Sequence, residues 1–322
     1  MDTNAELRDF LTSRRSRITP ERAGLAPKAG SRRVPGLRRE EVADLAGLSV
    51  DYYVRLERGR AHPSEPVLAA IARALRLDEA ERAHLFDLAR VTPSGRRTRL
   101  PPQRAHPGLL RAMRALGDTP AMVLGRRMDV LAANRMARAL ITDFEARPYR
   151  ERNIARHAFL DPAARELYAD WPVIAQDIVA ALRLDAGRNS GDPQLAELIG
   201  ELTLADPDFS HWWSTHDVHR RNGGTKRYRH PVVGELTLSY DRLTAPDDPD
   251  QRLTFYTAEP ASASEQALRL LGDWTAAPVE PTAESAAHED VPRTSANSIL
   301  ITPHGLMGAA DPRTRGAYAA GY

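Results

Sequence analysis

The side chains with the clearest chemistry are the arginines of residues 37–60, which are Arg38, Arg39, Arg55, Arg58 and Arg60. A guanidinium group can donate two parallel hydrogen bonds to a guanine edge or to a phosphate. These residue types therefore suit the recognition of a nucleic acid. Lys28 and Lys226 are the only lysines in the chain, so almost every basic side chain is an arginine. Genomic base composition explains this preference for arginine equally well.

Two short helices joined by a tight turn are predicted to position these arginines. The first should run from about Arg38 to Ala46 and bury Val42 and Leu45. Gly47 follows where a helix end needs a left-handed residue, a conformation that glycine adopts without a Cβ penalty. The chain can then turn sharply into a second helix.

The second helix is predicted to begin after Ser49, whose hydroxyl can cap it. Tyr53 and Leu56 share one face, which leaves a polar, arginine-bearing face that the DNA major groove would admit. The residues predicted to contact DNA are Arg38, Arg39, Ser49, Val50, Asp51, Tyr52, Arg55, Arg58 and Arg60. The alternative is an ordinary helical bundle whose arginines form a solvated face.

The charge distribution favours DNA contact by the first third of the chain. Residues 1–104 carry 21 basic and 14 acidic side chains, whereas the remainder carries 24 and 29. A polyanion would therefore be attracted to the first third alone. The charges on Arg32, Arg33, Arg38 and Arg39 could clamp a DNA backbone or simply keep a loop soluble.

Helical spacing and capping signals organise the rest of the first domain. Apolar spacing near Leu7, a cap at Ser64 and a capping-box pattern from Asp78 to Glu81 bring the total to five helices in about 90 residues. We place this all-α domain at residues 1–92. Prolines, glycines and arginines then mark a linker at 93–106.

A second domain mixing helices and strands is predicted at residues 107–274. Residues 121–125 and 130–133 should form a hairpin, and residues 232–243 and 252–257 alternate as two antiparallel strands should. Asp161-Pro162 should start one long helix that runs through Leu182, and Asp192-Pro193 should start another. Residues 275–322 have no periodicity and are predicted to be a disordered tail, with residues 299–301 as its apolar spot.

Composition narrows the class of protein. The chain has no cysteine, no apolar run long enough to span a membrane and no apolar signal segment, so we expect a cytoplasmic protein without disulfides. Phosphate-binding, dinucleotide-binding and nucleophile-elbow motifs do not occur, so we expect neither an enzyme nor a cofactor. His211, His216 and His219 are spaced unlike a metal site, and we expect no metal.

Residues 37–75 resemble a helix-turn-helix domain of the XRE type, which has a lambda-repressor-like fold of five helices. The matching segments are 39–43, 47–49, 55–59 and 63–64. The resemblance implies that Arg39 reaches a phosphate or a base edge. It also implies that Val50, Asp51 and Arg55 face bases, that Tyr52 lies near the backbone and that Arg58 meets phosphate. Asp51 is atypical there, because phosphate repels it and only a cytosine amino group would suit it.

Residues 105–272 resemble the MmyB-like ligand-binding domain found behind XRE-type domains in actinobacterial regulators. The matching segments are 120–134, 152–153, 159–162, 170–171, 213, 216–218, 230–234 and 256–260. The resemblance implies an α+β, PAS-like fold and a small apolar ligand such as a fatty acid. From the residues we predict a pocket lined by Trp171, Trp213, His216, His230, Leu238, Tyr240 and Phe255. The alternative is that the aromatic side chains simply form the core.

These features predict a sequence-specific DNA-binding transcription regulator that senses a small apolar ligand through its second domain. One short recognition helix reads few base pairs, so we expect a homodimer on double-stranded DNA. Ligand binding should act through the relation of the two domains across the linker. The competing hypothesis makes the second domain a protein–protein or dimerisation module with no ligand. An enzyme that controls its own operon is a further alternative, for which the sequence offers no site.

Overall fold

The computed structural model describes residues 3–25, 36–89, 102–189, 191–218, 223–276, 298–302 and 305–309. Predictions for residues 26–35, 93–101, 219 and most of 277–322 lie outside these ranges. Residues up to Ala276 belong to one unit of the structure, and those from Ala277 belong to another, which is described by itself.

The first domain contains the five helices predicted from the sequence. They are α1 (Thr3–Arg17), α2 (Arg39–Ala46), α3 (Val50–Glu57), α4 (Glu65–Ala74) and α5 (Glu79–Ala89). Val42, Tyr53 and Leu56 are fully buried among them. Leu45 was predicted to be buried and is instead 38% exposed. The buried side of α2 also includes Ala43, and this turns the helix away from Leu45.

Local capping chemistry sets the ends of these helices. Gly47 adopts φ 67°, and the Ser49 hydroxyl accepts a hydrogen bond from the Tyr52 amide at 3.2 Å, as predicted. Asp78 and Glu81 exchange two such bonds, of 2.8 and 3.0 Å. Ser64 precedes α4 as expected, but its side chain makes no capping hydrogen bond, so that part of the prediction was wrong. The geometry between α2 and α3 therefore follows from short-range signals.

The second domain packs helices on an antiparallel sheet. Its helices are α6 (Pro107–Ala115), α7 (Arg135–Leu140), α8 (Ile154–Leu160), α9 (Pro162–Leu167), α10 (Trp171–Arg188), α11 (Pro193–Ala205), α12 (Pro207–Ser214) and α13 (Ala263–Ala276). Its strands are β1 (Ala121–Leu124), β2 (Val130–Ala133), β3 (Gly223–His230), β4 (Gly234–Ala245) and β5 (Asp248–Thr257). They pair in the order β2-β1-β5-β4-β3. This α+β architecture confirms the predicted fold class.

Strand alternation gives the sheet two different faces. On one face Tyr240 of β4 lies opposite Tyr256 of β5, beneath the helical layer that includes α10. On the other face Leu253 and its neighbours pack against Leu109 of α6. Phe255 belongs with the second group, so the prediction that it shares a face with Tyr240 was wrong. Neighbouring residues of one strand cannot face the same side, and Phe255 adjoins Tyr256.

Several elements differ from the sequence prediction. Gly223 and Gly224 are typical of a loop but begin β3. The loop expected at residues 245–250 is only a tight turn at 246–247, because β4 ends at Ala245 and β5 begins at Asp248. The long helix breaks after α9, because Tyr168 is extended and pairs with Tyr228. Two further helices, α8 and α12, were not predicted.

Within the predicted tail, β6 (Ser298–Thr302) and β7 (Gly305–Ala309) form a two-stranded antiparallel sheet. The expectation of disorder is therefore wrong for these ten residues. A β-branched and apolar run at 299–301 pairs in register with residues 306–308, which offers the backbone a local partner. Among the described residues, no helix is long and apolar enough to cross a membrane.

Candidate DNA interface and candidate ligand pocket

Helix α3 presents its predicted DNA-contacting face to solvent. Val50 is 44% exposed, and the side chains of Asp51, Arg55, Arg58 and Arg60 are exposed as well. Ser49 is exposed at the helix start, whereas Tyr52 is half-buried. The geometry leaves the face of α3 that bears Arg55 open to a ligand as large as a DNA groove.

Glu57 fixes the end of α3 against α1 and α2. Its carboxylate is 1% exposed and accepts a hydrogen bond from Arg15 Nε of α1 at 2.8 Å. Arg39 Nε of α2 donates to the other carboxylate oxygen. Arg15 also donates to the Leu37 carbonyl oxygen at 2.9 Å. One buried carboxylate thus fixes the orientation of α3 relative to α1 and α2.

Two kinds of arginine lie at this surface. Arg39 is partly neutralised by Glu57, and Arg38 lies 3.4 Å from Glu40. Arg55, Arg58 and Arg60 form no ion pair with any residue that the structure describes. Their charges are available for phosphate or guanine.

A cleft of about 440 Å³, counting the space open to solvent, lies between the sheet and α10. The enclosed part of this space is about 20 Å³, which is room for about one water molecule, so a larger ligand would enter only if the sheet and α10 moved apart. The apolar part of its lining comes from β1, α8, α10 and the turn after β1. Its members are Met122, Leu124, Met128, Ile154, Ile174 and Ile178.

Lys226 of β3 places an amine in this apolar cleft. Its Nζ lies 4.8 Å from the ring centroid of Tyr240 and 5.5 Å from that of Tyr256. No hydrogen bond or ion pair joins it to a described residue. Burial and the nearby Arg242 together lower the pKa of Lys226 to about 7, against the opposing effect of Asp177. The lysine can therefore gain or lose its charge near neutral pH.

Polar groups accompany Lys226 in the lining of the cleft. Arg242 and Asp177 are half-buried and line it, and Thr254 is 2% exposed. The Thr254 hydroxyl has no hydrogen-bond partner among the described residues. Buried hydroxyls are normally paired, so this oxygen can form a hydrogen bond with a polar atom of a ligand or with water. The lining is amphiphilic, because apolar side chains and these polar and charged groups face the same cleft.

The structure places most of the predicted pocket residues elsewhere. Trp171 donates its indole N–H to the Ala158 carbonyl oxygen at 2.8 Å, and Trp213 stacks on Phe209. His230 Nε2 lies 2.9 Å from the Ala139 carbonyl oxygen and its Nδ1 accepts from the Val232 amide, so this histidine secures the entry to β4.

The remaining predicted residues divide between the cleft and other surfaces. His216 lies against Arg183, and Phe255 is on the opposite face of the sheet. Leu238 and Tyr240 are buried on the same sheet face as the cleft, and Tyr240 packs beneath Lys226. The prediction missed Lys226, Arg242 and Thr254, whose signal was only the alternation of β3, β4 and β5.

Two family models match the two domains. The model described as "MmyB-like transcription regulator ligand binding domain" matches residues 105–271, and a helix-turn-helix domain model matches residues 6–85. The first match alone covers more than half of the chain. The cleft lies inside the first match, and α2 and α3 lie inside the second.

The chain is also similar over part of its length to a curated protein. The transcriptional regulator ClgR of Mycobacterium tuberculosis, from strains CDC 1551 / Oshkosh and ATCC 25618 / H37Rv, is 43% identical over 77 residues. The alignment covers 21% of this chain and 69% of that protein. With the exposed α3 and the matched ligand-binding domain, these similarities show that the chain belongs to the family of MmyB-like transcription regulators, DNA-binding proteins with a helix-turn-helix and a ligand-binding domain.

Proposed function

We propose that the second domain senses an amphiphile with an apolar tail and an anionic head group, such as a fatty acid, and thereby controls DNA binding by the first domain. The observation that carries this proposal is the Lys226 amine in the lining of a largely apolar cleft. The nearby Asp177 carboxylate acts on this amine without an ion pair between them, and an amine that lacks a paired counter-ion is costly in such a place. A ligand carboxylate would supply that counter-ion.

The mixed lining supports a ligand that has both apolar and polar parts. The side chains of Met122, Leu124 and Met128 offer flexible apolar contacts. Lys226 and the Thr254 hydroxyl, which lies directly opposite Met122 in the sheet, offer two donors. A carboxylate can accept from both, while the hydrocarbon chain contacts the methionine and isoleucine side chains.

We expect saturated fatty acids from octanoate to palmitate to raise the melting temperature of the protein, and their methyl esters to raise it much less. A ligand that binds the folded state alone stabilises it by about 2.7 kcal/mol at a hundred times its dissociation constant. Differential scanning fluorimetry measures the shift. Extraction of the purified protein followed by mass spectrometry tests whether such an acid is already bound. An empty protein that responds to neither series would argue against the proposal.

We further propose that α3 reads an operator through Arg55, with Arg38, Arg39, Ser49, Val50, Asp51, Tyr52, Arg58 and Arg60 completing the contact surface. The exposure of Arg55 and its lack of an ion-pair partner among the described residues support this role. The recognition helix has only eight residues, which supports a homodimer on an inverted repeat.

Arg55→Ala should weaken binding to a duplex that the wild-type protein has selected from a random pool. The expected loss is about 1–3 kcal/mol, because a bidentate contact to guanine has that value. Fluorescence anisotropy at several salt concentrations measures the loss. Arg114→Ala, at an exposed arginine of α6, is the matched control and should bind as the wild type does. Equal affinities for both variants would remove Arg55 from the contact surface.

A protein–protein role for the second domain is the second candidate. Leu270 and Trp274 are 62% and 58% exposed, and they lie four residues apart on one face of α13. Such a pair suits a partner surface or a dimer contact. Leu270→Ser combined with Trp274→Ser would then convert a dimer to a monomer in analytical ultracentrifugation, with no response to fatty acids in either protein.

A further inference from the structure

The long helix α10 belongs to both domains of the first unit. Near its start it lines the cleft with Ile174, Asp177 and Ile178. Further along it carries Leu184, which is 7% exposed and packs in the hydrophobic core of the helix-turn-helix domain. Val218, which follows α12, packs in the same core. The domains therefore contact each other directly, in addition to the relation across the linker that the sequence predicts.

Arg183 of α10 is buried at this meeting point. It is 1% exposed, and its Nη1 lies 3.1 Å from the Glu6 carboxylate of α1 and 2.9 Å from His216 Nδ1. The guanidinium carbon is 4.0 Å from the ring centroid of Trp213, and Nη2 donates to the Trp213 carbonyl oxygen. A desolvated cation with this many fixed partners holds one arrangement of α1, α10 and α12.

Residues near the C-terminal end of helix α1 form hydrogen bonds with the segment that follows α12. Ser13 Oγ donates to the Thr215 carbonyl oxygen at 3.1 Å, and Arg17 Nη2 donates to the same oxygen at 2.7 Å. Arg14 is 5% exposed and donates to the His216 carbonyl oxygen. These contacts link the DNA-binding domain to a loop of the ligand-binding domain.

The adjoining residue of α1 faces the recognition helix. Arg15 binds Glu57, the last residue of α3, as described above. Arg14 and Arg15 are neighbours in α1, so one helix carries both the contact to His216 and the contact to Glu57. A continuous set of packed elements thus runs from the cleft through α10 and α1 to α3.

A second link joins the cleft to the same part of α10. Met128 lines the cleft, and the amide of its neighbour Arg127 donates to the Asp185 carboxylate of α10 at 2.6 Å. Arg127 and Met128 both have positive φ, of 57° and 63°. Residues other than glycine rarely adopt this backbone conformation. It persists here because the Arg127 side chain also pairs with Asp129 and Asp192, at 2.7 Å each.

We propose that the α1–α10 contact around Arg183 transmits occupancy of the cleft to the recognition helix, so that this interface, and not the linker, is the regulatory element. The inference rests on the proposed ligand-binding function. A ligand that contacts Ile174, Asp177 and Met128 can favour one position of α10, and the interface converts that preference into a change of DNA affinity.

Gly187 provides a substitution in the adjoining part of the same interface, where α10 contacts α5 of the helix-turn-helix domain one turn beyond Arg183. A Cβ at this position of α10 would lie 2.6 Å from Nδ1 and 2.7 Å from Cε1 of His84. His84 of α5 is 1% exposed, and its ring packs edge-on against Phe10 at 5.1 Å. Alanine is a better helix former than glycine, so Gly187→Ala should keep α10 helical while it forces His84 and α10 apart.

Gly200 of α11 is the matched control, because no atom lies within 4 Å of its added Cβ. The experiment measures, on the full chain, the dissociation constant of a selected operator with and without palmitate. We expect palmitate to change the wild-type and Gly200→Ala constants by at least about fivefold, and the Gly187→Ala constant by less than about twofold. Palmitate itself should bind all three proteins equally. The proposal would be overturned if Gly187→Ala bound palmitate normally and palmitate still changed its operator dissociation constant as much as it changes the wild-type constant.

A failure of the ligand hypothesis gives a different result. If palmitate neither binds nor changes DNA affinity in the wild type, the proposed sensing function fails. The interface is then judged on the ligand-free proteins, where Gly187→Ala should differ from Gly200→Ala in operator affinity. Arg183→Gln should shift affinity in the same direction as Gly187→Ala, and Arg165→Gln, at an arginine stacked on Trp171 within the second domain, should not. Equal affinities throughout would overturn the interface proposal.

Discussion

Replacing Glu57 with alanine is expected to destabilise the first domain by about 3 kcal/mol. Loss of one partner of a buried ion pair typically costs about 3–5 kcal/mol, and the lower value applies because Arg39 keeps contact with water. Arg15 would remain with its single bond to the Leu37 carbonyl oxygen. The last turn of α3 would lose its two fixed contacts to α1 and α2.

Circular dichroism during urea unfolding measures this change. Tryptophan fluorescence is less suitable, because all four tryptophans lie in the second domain. Glu40→Ala is the control, since Glu40 pairs with Arg38 at an exposed position, and such pairs contribute about 0–1 kcal/mol. We expect the free energy of unfolding of Glu57→Gln to lie between those of Glu57→Ala and Glu40→Ala, because glutamine keeps the shape of the side chain and loses its charge. A Glu57→Ala protein as stable as Glu40→Ala would show that the buried carboxylate does not hold α3.

The first domain could be predicted closely because its signals are local. Gly47, Ser49 and the Asp78–Glu81 pair each form a bond within a few residues along the chain, so residue type and spacing fix the helix ends. The exposure of Leu45 was not predicted, because the rotation of α2 about its axis depends on which residues pack beside Ala43. The location of each helix is a local property, while its rotation about its own axis depends on tertiary packing.

The second domain shows where such signals are insufficient. Asp206 caps α12 through a 2.8 Å bond from the Phe209 amide, and Asp206-Pro207 is the same signal that Asp161-Pro162 gave correctly. Helix α12 was therefore predictable. The break before α10 was not, because it depends on the bridge between Tyr168 and Tyr228, sixty residues apart. Strand β3 was hidden because its first two residues are glycines and only Tyr228 and His230 are fully buried.

The candidate pocket was the least predictable feature. The sequence prediction favoured aromatic residues and histidines. In the structure, however, Trp213 and His216 contact Arg183, and His230 forms hydrogen bonds just before β4. Lys226 is one of two lysines and would ordinarily be taken for a surface charge. It enters the cleft because the antiparallel register places it on the same sheet face as Tyr240 and Tyr256. Only the pairing of β3, β4 and β5 brings that set together.

Lys226→Met should reduce the affinity for fatty acids by about 10- to 100-fold. A hydrogen bond to a charged group contributes about 1.5–3 kcal/mol, and methionine keeps the apolar length of the side chain without the amine. The variant should be at least as stable as the wild type, because an amine that lacks a partner among the described residues no longer has to be buried. Binding measured by titration calorimetry, with melting temperature as the second measurement, separates loss of the head-group contact from loss of the fold.

The dependence on pH gives this prediction its sharpest test. Lys226 has a pKa of about 7 in the folded protein, lowered from the usual 10.5. Below pH 7 the amine is already charged and affinity for an ionised carboxylate is highest. Above pH 7 binding must recruit a proton, so affinity should fall by up to about tenfold per pH unit. Stability should change in the opposite sense. Between about pH 7 and 10.5 the unfolded chain binds more protons at this lysine, so the free energy of unfolding rises with pH.

Lys226→Arg is the matched variant for the pH measurement. Arginine stays protonated over the whole range, so binding should persist without the decline above pH 7. In Lys226→Met the affinity should be low and flat across the same range. Proton uptake can be counted directly, because the calorimetric enthalpy then depends on the ionisation enthalpy of the buffer. If all three proteins bind fatty acids with one affinity and one pH profile, the head group lies away from Lys226, and the cleft holds its ligand by the apolar lining alone.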